Sequence, residues 1–294
     1  MVRLAGALFV LLIGPVVPVQ AQDTPIEVQK LRPNLFLLTG GSPNTGGSAT
    51  TVVFVRSTDV VVIDTKGPRS WWGDAIADEV KRLTKLPITT IINTSGSGDH
   101  VAGNIALAKS TIEIIAHGHA VADMRRMKSM FTTPAGLPTR TFKDRLTVGS
   151  GPDRLELYYF GAGHCNSDTF VTIPALRVLL TGDAFGGKFL PALARPSGGD
   201  GVEYPNTLTR ALPLTRDIDT IITGHGGGVA KPQDLEVHRD FMRDFLESTR
   251  QAKKAGQTAA AAARAWKVPA RYVGYEAQPA RVLGAMEWIY RQLP

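Results

Sequence analysis

The stretch Ile91-Ile92-Asn93-Thr94-Ser95-Gly96-Ser97-Gly98-Asp99-His100 carries the most specific pattern in this sequence. Its apolar start belongs to a predicted strand, Ile88 to Asn93, and the glycine-rich turn that follows ends in an adjacent aspartate and histidine. A helix is predicted from about Val101 to Lys109, so these two polar side chains lie on a strand-to-helix turn. Because side chains on such turns converge on a cleft while the core stays dry, the stretch predicts a functional site at a strand end.

Three later segments also place polar side chains directly after an apolar run. They are Gly163-His164-Cys165-Asn166-Ser167-Asp168, Leu180-Thr181-Gly182-Asp183 and Thr223-Gly224-His225-Gly226. In this order, and together with the first stretch, they resemble the motifs of the metallo-β-lactamase superfamily over most of the chain. The family's first motif, His-x-His-x-Asp-His, stands here with serine at its two leading positions, Ser95 and Ser97.

Strand-like and helix-like segments alternate in both halves of the chain, which suits sheets covered by helices. The resemblance implies the specific architecture, an α/β (α+β) four-layer αββα sandwich. We predict one metallo-β-lactamase-like domain, residues 22–294, with a long helix from Gln233 to Lys254 and a helical tail from Gln257 to Leu293. In the tail, Val282, Met286 and Ile289 are predicted to share one apolar face. The other predicted strands are Leu35–Leu38, Thr50–Val55, Val60–Ile63, Ile112–Ala116, Leu155–Phe160, Thr169–Ile173, Val178–Leu180 and Thr220–Thr223.

The resemblance also implies a metal site. In the family, the positions of Asp99, His100, Asp183 and His225 bind the second zinc ion. Two imidazoles and two carboxylates form a competent tetrahedral set for Zn²⁺ and neutralise its charge. The same oxygen and nitrogen ligands also suit Mn or Fe, so the identity of the metal stays open.

The family's first metal position uses the two leading histidines, the histidine that corresponds to His164, and commonly the bridging aspartate. Ser95 and Ser97 replace the two histidines here, and a neutral hydroxyl is a poor zinc ligand. His164 and Asp183 alone leave this position two ligands short of four. We therefore predict one tightly bound metal per chain, with the other site weak or absent.

The resemblance implies a metal-dependent hydrolase acting on a small ester, thioester or amide through metal-activated water, with a lactam as a further option. Asp99 and His164 are the candidate catalytic residues, because either could orient or deprotonate that water. The alternative is a catalytically impaired binding or structural member of the same fold. A nuclease is a second alternative, disfavoured because the basic residues are scattered without interleaved aromatic residues.

The first 21 residues predict a cleaved signal peptide and therefore a periplasmic or secreted protein. Arg3 gives a basic tip, an apolar run follows, and Val19-Gln20-Ala21 offers small residues suited to cleavage. Two prolines and the shortness of the apolar run argue against a stable membrane span. Removing residues 1–21 leaves 32 basic and 26 acidic residues, a net charge of +6 that we interpret as a solubilising charge.

Several further residues are weaker candidates. His117 and His119 follow a predicted strand, and packing or capping is favoured over metal binding, although they could replace the missing imidazoles. The only cysteine, Cys165, excludes an intramolecular disulfide and is interpreted as a packing residue. Asp168 is expected to stabilise a turn, and Asp64 to anchor the backbone near the site.

Overall fold

A computed structural model describes residues 25–40, 49–109, 111–128, 131, 133–193, 195–226 and 228–294. The predicted signal peptide lies outside these residues. Thirteen strands within the described ranges form two sheets. The seven-stranded sheet contains β1 (Glu27–Arg32), β2 (Leu35–Thr39), β3 (Thr51–Val55), β4 (Val60–Ile63), β5 (Ile88–Ile92), β6 (Glu113–His117) and β7 (Arg140–Phe142), in that order. The six-stranded sheet runs in the order β13 to β8 and contains β8 (Arg145–Val148), β9 (Leu155–Tyr159), β10 (Thr169–Ile173), β11 (Val178–Leu180), β12 (Thr220–Ile222) and β13 (Val229–Ala230).

Eight α-helices accompany the sheets in the described residues. They are α1 (Trp72–Leu83), α2 (Gly98–Val101), α3 (Asn104–Leu107), α4 (Gly118–Arg126), α5 (Tyr204–Ala211), α6 (Pro232–Lys254), α7 (Ala259–Ala265) and α8 (Pro279–Gln292). None of them is both long enough and apolar enough to cross a membrane.

The strands bury opposite faces because alternate side chains point to opposite sides of a sheet. In β2, Leu35 and Leu37 face the second sheet, while Phe36 and Leu38 face the helix layer that includes α1. The second sheet behaves likewise: its outward side chains pack against α5, α6, α7 and α8. Three apolar clusters therefore separate four layers, and the predicted αββα sandwich is confirmed.

The helix predicted from Val101 to Lys109 is wrong in one respect, because it is two short helices, α2 and α3. Between them, Gly103 passes so close to the end of β4 that a Cβ there would lie 2.2 Å from the Thr65 carbonyl oxygen. Ala102 N donates at 3.1 Å to the Lys66 carbonyl as well as to its own helix. This tertiary hydrogen bond and the close approach of Gly103 therefore interrupt a helix that the periodicity of the sequence predicts to be continuous.

The ends of four strands bring the polar motifs of the sequence to one edge of the sandwich. β4 and β5 are parallel neighbours, and so are β11 and β12, so each pair ends on the same side. Ala49 and His225 form an isolated bridge between the loops of the two sheets, and Thr50 N donates to the Gly224 carbonyl at 2.8 Å. A cleft between the carboxyl ends of the strands follows from this topology.

Candidate metal centre

Asp64, directly after β4, organises the first motif. Its backbone is left-handed, with φ 58°, and its Oδ1 accepts a hydrogen bond of 2.8 Å from Thr94 N. Its Oδ2 accepts from Thr94 Oγ1 at 2.6 Å and lies 2.7 Å from His100 Nδ1. A carboxylate can only accept, so His100 Nδ1 carries the proton and donates. This leaves His100 Nε2 as the ring atom turned toward the other ligand candidates.

Asp183 lies at the centre of the predicted ligand set. Its Oδ2 is 3.1 Å from His100 Nε2, and its Oδ1 is 2.8 Å from His225 Nε2. Its position depends on the preceding Gly182, where φ is 49° and a Cβ would lie 2.5 Å from Thr94 Oγ1. The glycine therefore allows the turn after β11 to approach the first motif closely.

Asp99 and His225 complete the group. His225 Nε2 lies 3.5 Å from Asp99 Oδ2, and its backbone N–H donates to the Gly186 carbonyl at 3.0 Å. Asp99, His100 and His225 each place one ligand atom within 4.8 Å of the others. The structure thus brings together four residues predicted from the sequence, while their role as metal ligands remains a prediction.

The charges of this group depend on each other. Burial alone would raise the pKa of Asp183, but the imidazoles of His100, His164 and His225 hold it well below its ordinary value. Burial opposes protonation of His100 and His225, yet the carboxylates, chiefly Asp183, raise the pKa of both rings. Without a cation, the cluster is therefore held together by charge pairing between acids and imidazoles.

His164 stands beside this group rather than within it. Its Nδ1 is 3.4 Å from Asp183 Oδ2 and 4.0 Å from Asp168 Oδ1, and this buried nitrogen has no hydrogen-bond partner among the described residues. His164 is therefore close enough to exchange protons with a group bound near Asp183. Its catalytic role stays a prediction.

The two serines of the first motif differ in their surroundings. Ser95 is buried, and its Oγ accepts a hydrogen bond of 3.2 Å from Ser97 N. Ser97 is half-buried and lines the cleft. Between them, Gly96 is packed so tightly that a Cβ there would lie 2.8 Å from the Cβ of Asp123. Ser95 therefore belongs to a packed, hydrogen-bonded turn, whereas Ser97 is open to a ligand.

Cys165 and Asp168 form a turn-stabilising pair. Cys165 Sγ donates to Asp168 Oδ1 at 3.0 Å, and Cys165 N donates to both carboxylate oxygens. Burial, followed by the Asp168 charge, raises the pKa of the thiol well above its ordinary value. Burial likewise raises the pKa of Asp168 to about 6. A protonated, hydrogen-bonded thiol is a poor nucleophile, which agrees with a packing cysteine.

His117 and His119 act in packing and capping, as favoured by the sequence. His117 stacks on Tyr159 with ring centroids 3.9 Å apart, and its side chain caps α4 by accepting from His119 N. Burial lowers the pKa of His117 to about 4, so its ring is neutral near pH 7. His119 Nδ1 lies 2.8 Å from the Asn166 carbonyl oxygen. In the described residues, neither imidazole joins the ligand group around Asp183.

Tyr204 is a contributor that no motif of the sequence identifies. It is fully buried at the start of α5. Its hydroxyl donates to the carbonyl oxygens of Asp183 and Ala184, both at 3.1 Å. Tyr204 therefore fixes the backbone that carries Asp183, and no short motif signals such a contact.

A cavity of about 160 Å³ opens onto the predicted ligands. A larger cavity, of about 520 Å³, lies between α1 and the strand β5 and contains none of the predicted site residues, so we assign the chemistry to the smaller one. The smaller cavity is lined by Ser97, Asp99, His164, Asp183, Gly186, Phe189, Pro191, Ala192, His225 and Arg281.

The donor set fits a divalent metal ion. The buried Nε2 of His100 lacks a hydrogen-bond partner although it lies 3.1 Å from a carboxylate oxygen. Ligand atoms on a tetrahedral zinc ion are about 3.3 Å apart, from a metal–ligand distance of about 2.0 Å. The neighbouring contacts of 2.8 Å and 3.5 Å made by His225 Nε2 bracket that spacing. The carboxylate that orients His100 also matches the usual support of a metal-binding imidazole.

Comparisons with known proteins agree with this fold. The family model for the metallo-beta-lactamase superfamily matches residues 44–225, more than half of the chain, so the chain belongs to this superfamily. Two curated relatives are type 2 metallo-beta-lactamases: that of Bacillus sp. (strain 170) is 24% identical over 180 residues, and that of Bacillus cereus is 22% identical over 179 residues. The matches cover 60% of this chain and just under two thirds of the relatives, at 65% and 66% of their lengths.

Solved structures show the same fold at low sequence identity. The DIM-1 metallo-beta-lactamase aligns with a TM-score of 0.64 and 18% identity, covering 76% of this chain and 99% of its own. A metallo-beta-lactamase from Pontibacter korlensis gives 0.63 and 18%, covering 74% and 99%. The mono-zinc form of FIM-1 from Pseudomonas aeruginosa gives 0.63 and 16%, covering 77% and 98%.

Proposed function

We propose that this protein is a metal-dependent hydrolase that acts on a small ester, thioester or amide, with one tightly bound metal ion. The observation that carries the proposal is the arrangement of His100 and His225 on the two oxygens of Asp183, with Asp99 beside them. Zinc suits this set best, and Mn or Fe are alternatives. The small cavity supports a small-molecule substrate.

The chemistry divides between the ion and the side chains. A bound divalent ion polarises a substrate oxygen and lowers the pKa of a water molecule. Asp64 holds the proton on His100 Nδ1, which keeps Nε2 free to act as a ligand. Asp99 and His164 both line the cavity, so either can accept a proton there and return it to a leaving group.

The proposal of one ion per chain is based on Ser95 and Ser97, which stand where the family has two metal-binding histidines. Ser95 is buried with its hydroxyl engaged by Ser97 N, so it offers no replacement for the family's first imidazole. His164 and Asp183 are the remaining candidates for that position. The mono-zinc form of FIM-1 is a precedent for one ion within this fold.

Metal retention tests the proposal directly. We expect wild type to keep about one equivalent of zinc after dialysis, and Asp183→Asn to keep none, because it removes the charge that links both imidazoles. Asp219→Asn is the matched control, since Asp219 is an exposed carboxylate paired with Arg177. Elemental analysis, with unfolding curves to verify the fold, measures both.

Three outcomes would contradict different parts of the proposal. Two retained equivalents in wild type would overturn the single site, and unchanged retention in Asp183→Asn would overturn the ligand assignment. Retained metal without turnover of generic esters, thioesters, amides or lactams would favour the alternative, a binding or structural member of the superfamily.

A further inference from the structure

Arg281 gives the cavity a permanent positive charge from the C-terminal part of the chain. It lies in the first turn of α8, is half-buried, and lines the same cavity as Asp99 and His164. Among the described lining residues it is the one lysine or arginine. The family model ends at His225, so this cation comes from outside the matched region.

The arginine is held in place by the loop that follows Asp183. Its guanidinium carbon lies 5.0 Å from the centre of the Phe189 ring. That ring is confined by the glycines before it, since a Cβ on Gly187 would lie 2.7 Å from a ring carbon. Glu276, just before α8, pairs with the loop: its N–H donates to Lys188 at 3.0 Å and its carbonyl accepts from Leu190 at 2.9 Å. Two backbone hydrogen bonds thus tie α8 to the cavity wall.

The guanidinium has no carboxylate partner within the described part of the chain. Other arginines of the molecule, such as Arg177, Arg210 and Arg239, form ion pairs with nearby acids, whereas Arg281 forms none. A partly buried guanidinium stacked on a ring by one face still presents N–H donors at its edge. A ligand with an anionic group can satisfy these donors with two parallel hydrogen bonds.

We propose that Arg281 binds a carboxylate on the substrate, remote from the bond that is hydrolysed. This inference rests on the proposed function and specifies its substrate class: a small ester, thioester or amide that also carries a carboxylate. One fixed cation matches one negative charge, whereas a phosphate carries nearly two near pH 7 and commonly takes several donors. Phe189 packs against the apolar part of such a ligand beside the anion.

An equilibrium comparison tests the proposal without depending on turnover. The probes are succinate, glutarate and adipate, which differ in the spacing of their carboxylates, with butyrate as the monocarboxylate reference. Calorimetric titration of the protein as purified gives the ratio of each dissociation constant to that of butyrate. In wild type we expect at least one dicarboxylate to bind about tenfold or more tighter than butyrate.

The variants separate charge from packing. Arg281→Met keeps an unbranched side chain over Phe189 and is expected to lose the preference, while Arg281→Lys retains part of it. Arg291→Met is the matched control, an exposed arginine at the other end of α8 that should leave the preference unchanged. Metal content is measured on each protein. The proposal would be overturned if wild type showed no preference for a dicarboxylate over butyrate. It would also be overturned if Arg281→Met showed a preference as large as that of wild type.

A second pair of ligands distinguishes the two proposals. Mono-(4-nitrophenyl) glutarate and 4-nitrophenyl butyrate differ in one terminal carboxylate, and the Arg281→Met change should raise KM about tenfold for the first ester alone. Hydrolysis of both esters with no effect of Arg281 would overturn this inference and leave the proposed function standing. Arg281-dependent binding of a dicarboxylate without hydrolysis of any ester would overturn the proposed function and leave the carboxylate-binding role of Arg281 standing.

Discussion

At the scale of single residues, Asp64 decides which nitrogen of His100 faces the cleft. Its carboxylate occupies Nδ1 at 2.7 Å and holds the next motif through Thr94 N and Thr94 Oγ1. A residue whose φ is 58° is uncommon outside glycine, and this conformation aims the carboxylate back at the site. The role expected from the sequence was anchoring of the backbone, and the structure adds orientation of an imidazole.

Replacing Asp64 by asparagine tests this orienting role. The amide oxygen can still accept from Thr94 N, but the amide NH2 group then faces His100 Nδ1 and can only donate, so the ring loses the acceptor that fixes its tautomer. We expect zinc affinity, measured by competition with a chelator, to fall by about 10- to 100-fold. Thr94→Val is the control, because it removes one donor to Asp64 and leaves the carboxylate on His100. Equal losses in the two variants would indicate that anchoring alone matters.

The two serines of the first motif differ in burial, so we expect histidine to be tolerated at position 97 but not at position 95. Ser95→His places an imidazole at a site that is 1% exposed, so it should destabilise the protein by about 1–3 kcal/mol through overpacking. Ser97→His points into the cleft and should change stability by less than about 0.5 kcal/mol. Urea unfolding of both variants measures the difference. Equal stabilities would show that the turn around Ser95 is not tightly packed.

At the scale of elements, the sequence predicts best those strands that are buried on both faces. β4, β10 and β11 have the predicted bounds: all three are buried along their whole length, and β4 and β11 are continuous apolar runs. β7 was not predicted: it is three residues long, and two of them are exposed. α5 was missed for a different reason, since it follows a glycine-rich run and begins at Tyr204-Pro205. Its buried residues Tyr204, Leu208 and Ala211 have helical spacing, but eight residues are too few for this pattern to stand out beside the glycine-rich run.

The C-terminal tail illustrates what tertiary packing adds to a correct prediction. The apolar face expected from Val282, Met286 and Ile289 is buried on the core, and this part of the prediction is confirmed. The tail is not helical throughout, because α7 ends at Ala265 and α8 begins at Pro279. The approach of Arg281 to the cavity depends on backbone pairing of the intervening segment with the loop after Asp183, which no spacing of residues in the sequence reveals.

At the scale of the whole molecule, a buried lysine supports the segment that links the two sheets next to the site. Lys66 follows β4 and is fully buried, and its Nζ donates to the Gly40 carbonyl at 3.0 Å and to the Ala49 carbonyl at 2.9 Å. Ala49 in turn bridges to His225 from the second sheet. The metal candidates thus lie where the sheets are linked by hydrogen bonds, so the stability of this link is a property of the entire fold.

Burial lowers the pKa of Lys66 from 10.5 to about 7, which makes global stability depend on pH. Between these two values the unfolded chain holds the lysine proton while the folded protein releases it, so stability rises with pH across this window. The slope is at most about 1.4 kcal/mol per pH unit. An uncharged amine can still donate to both carbonyls, so the link survives deprotonation.

Lys66→Met removes this contribution to the pH dependence of stability. Urea unfolding at about pH 7, 8 and 9 should show wild type gaining stability relative to the variant as the pH increases. Other titrating groups are common to both proteins and cancel in the difference, so parallel pH curves would contradict a lysine held neutral by burial.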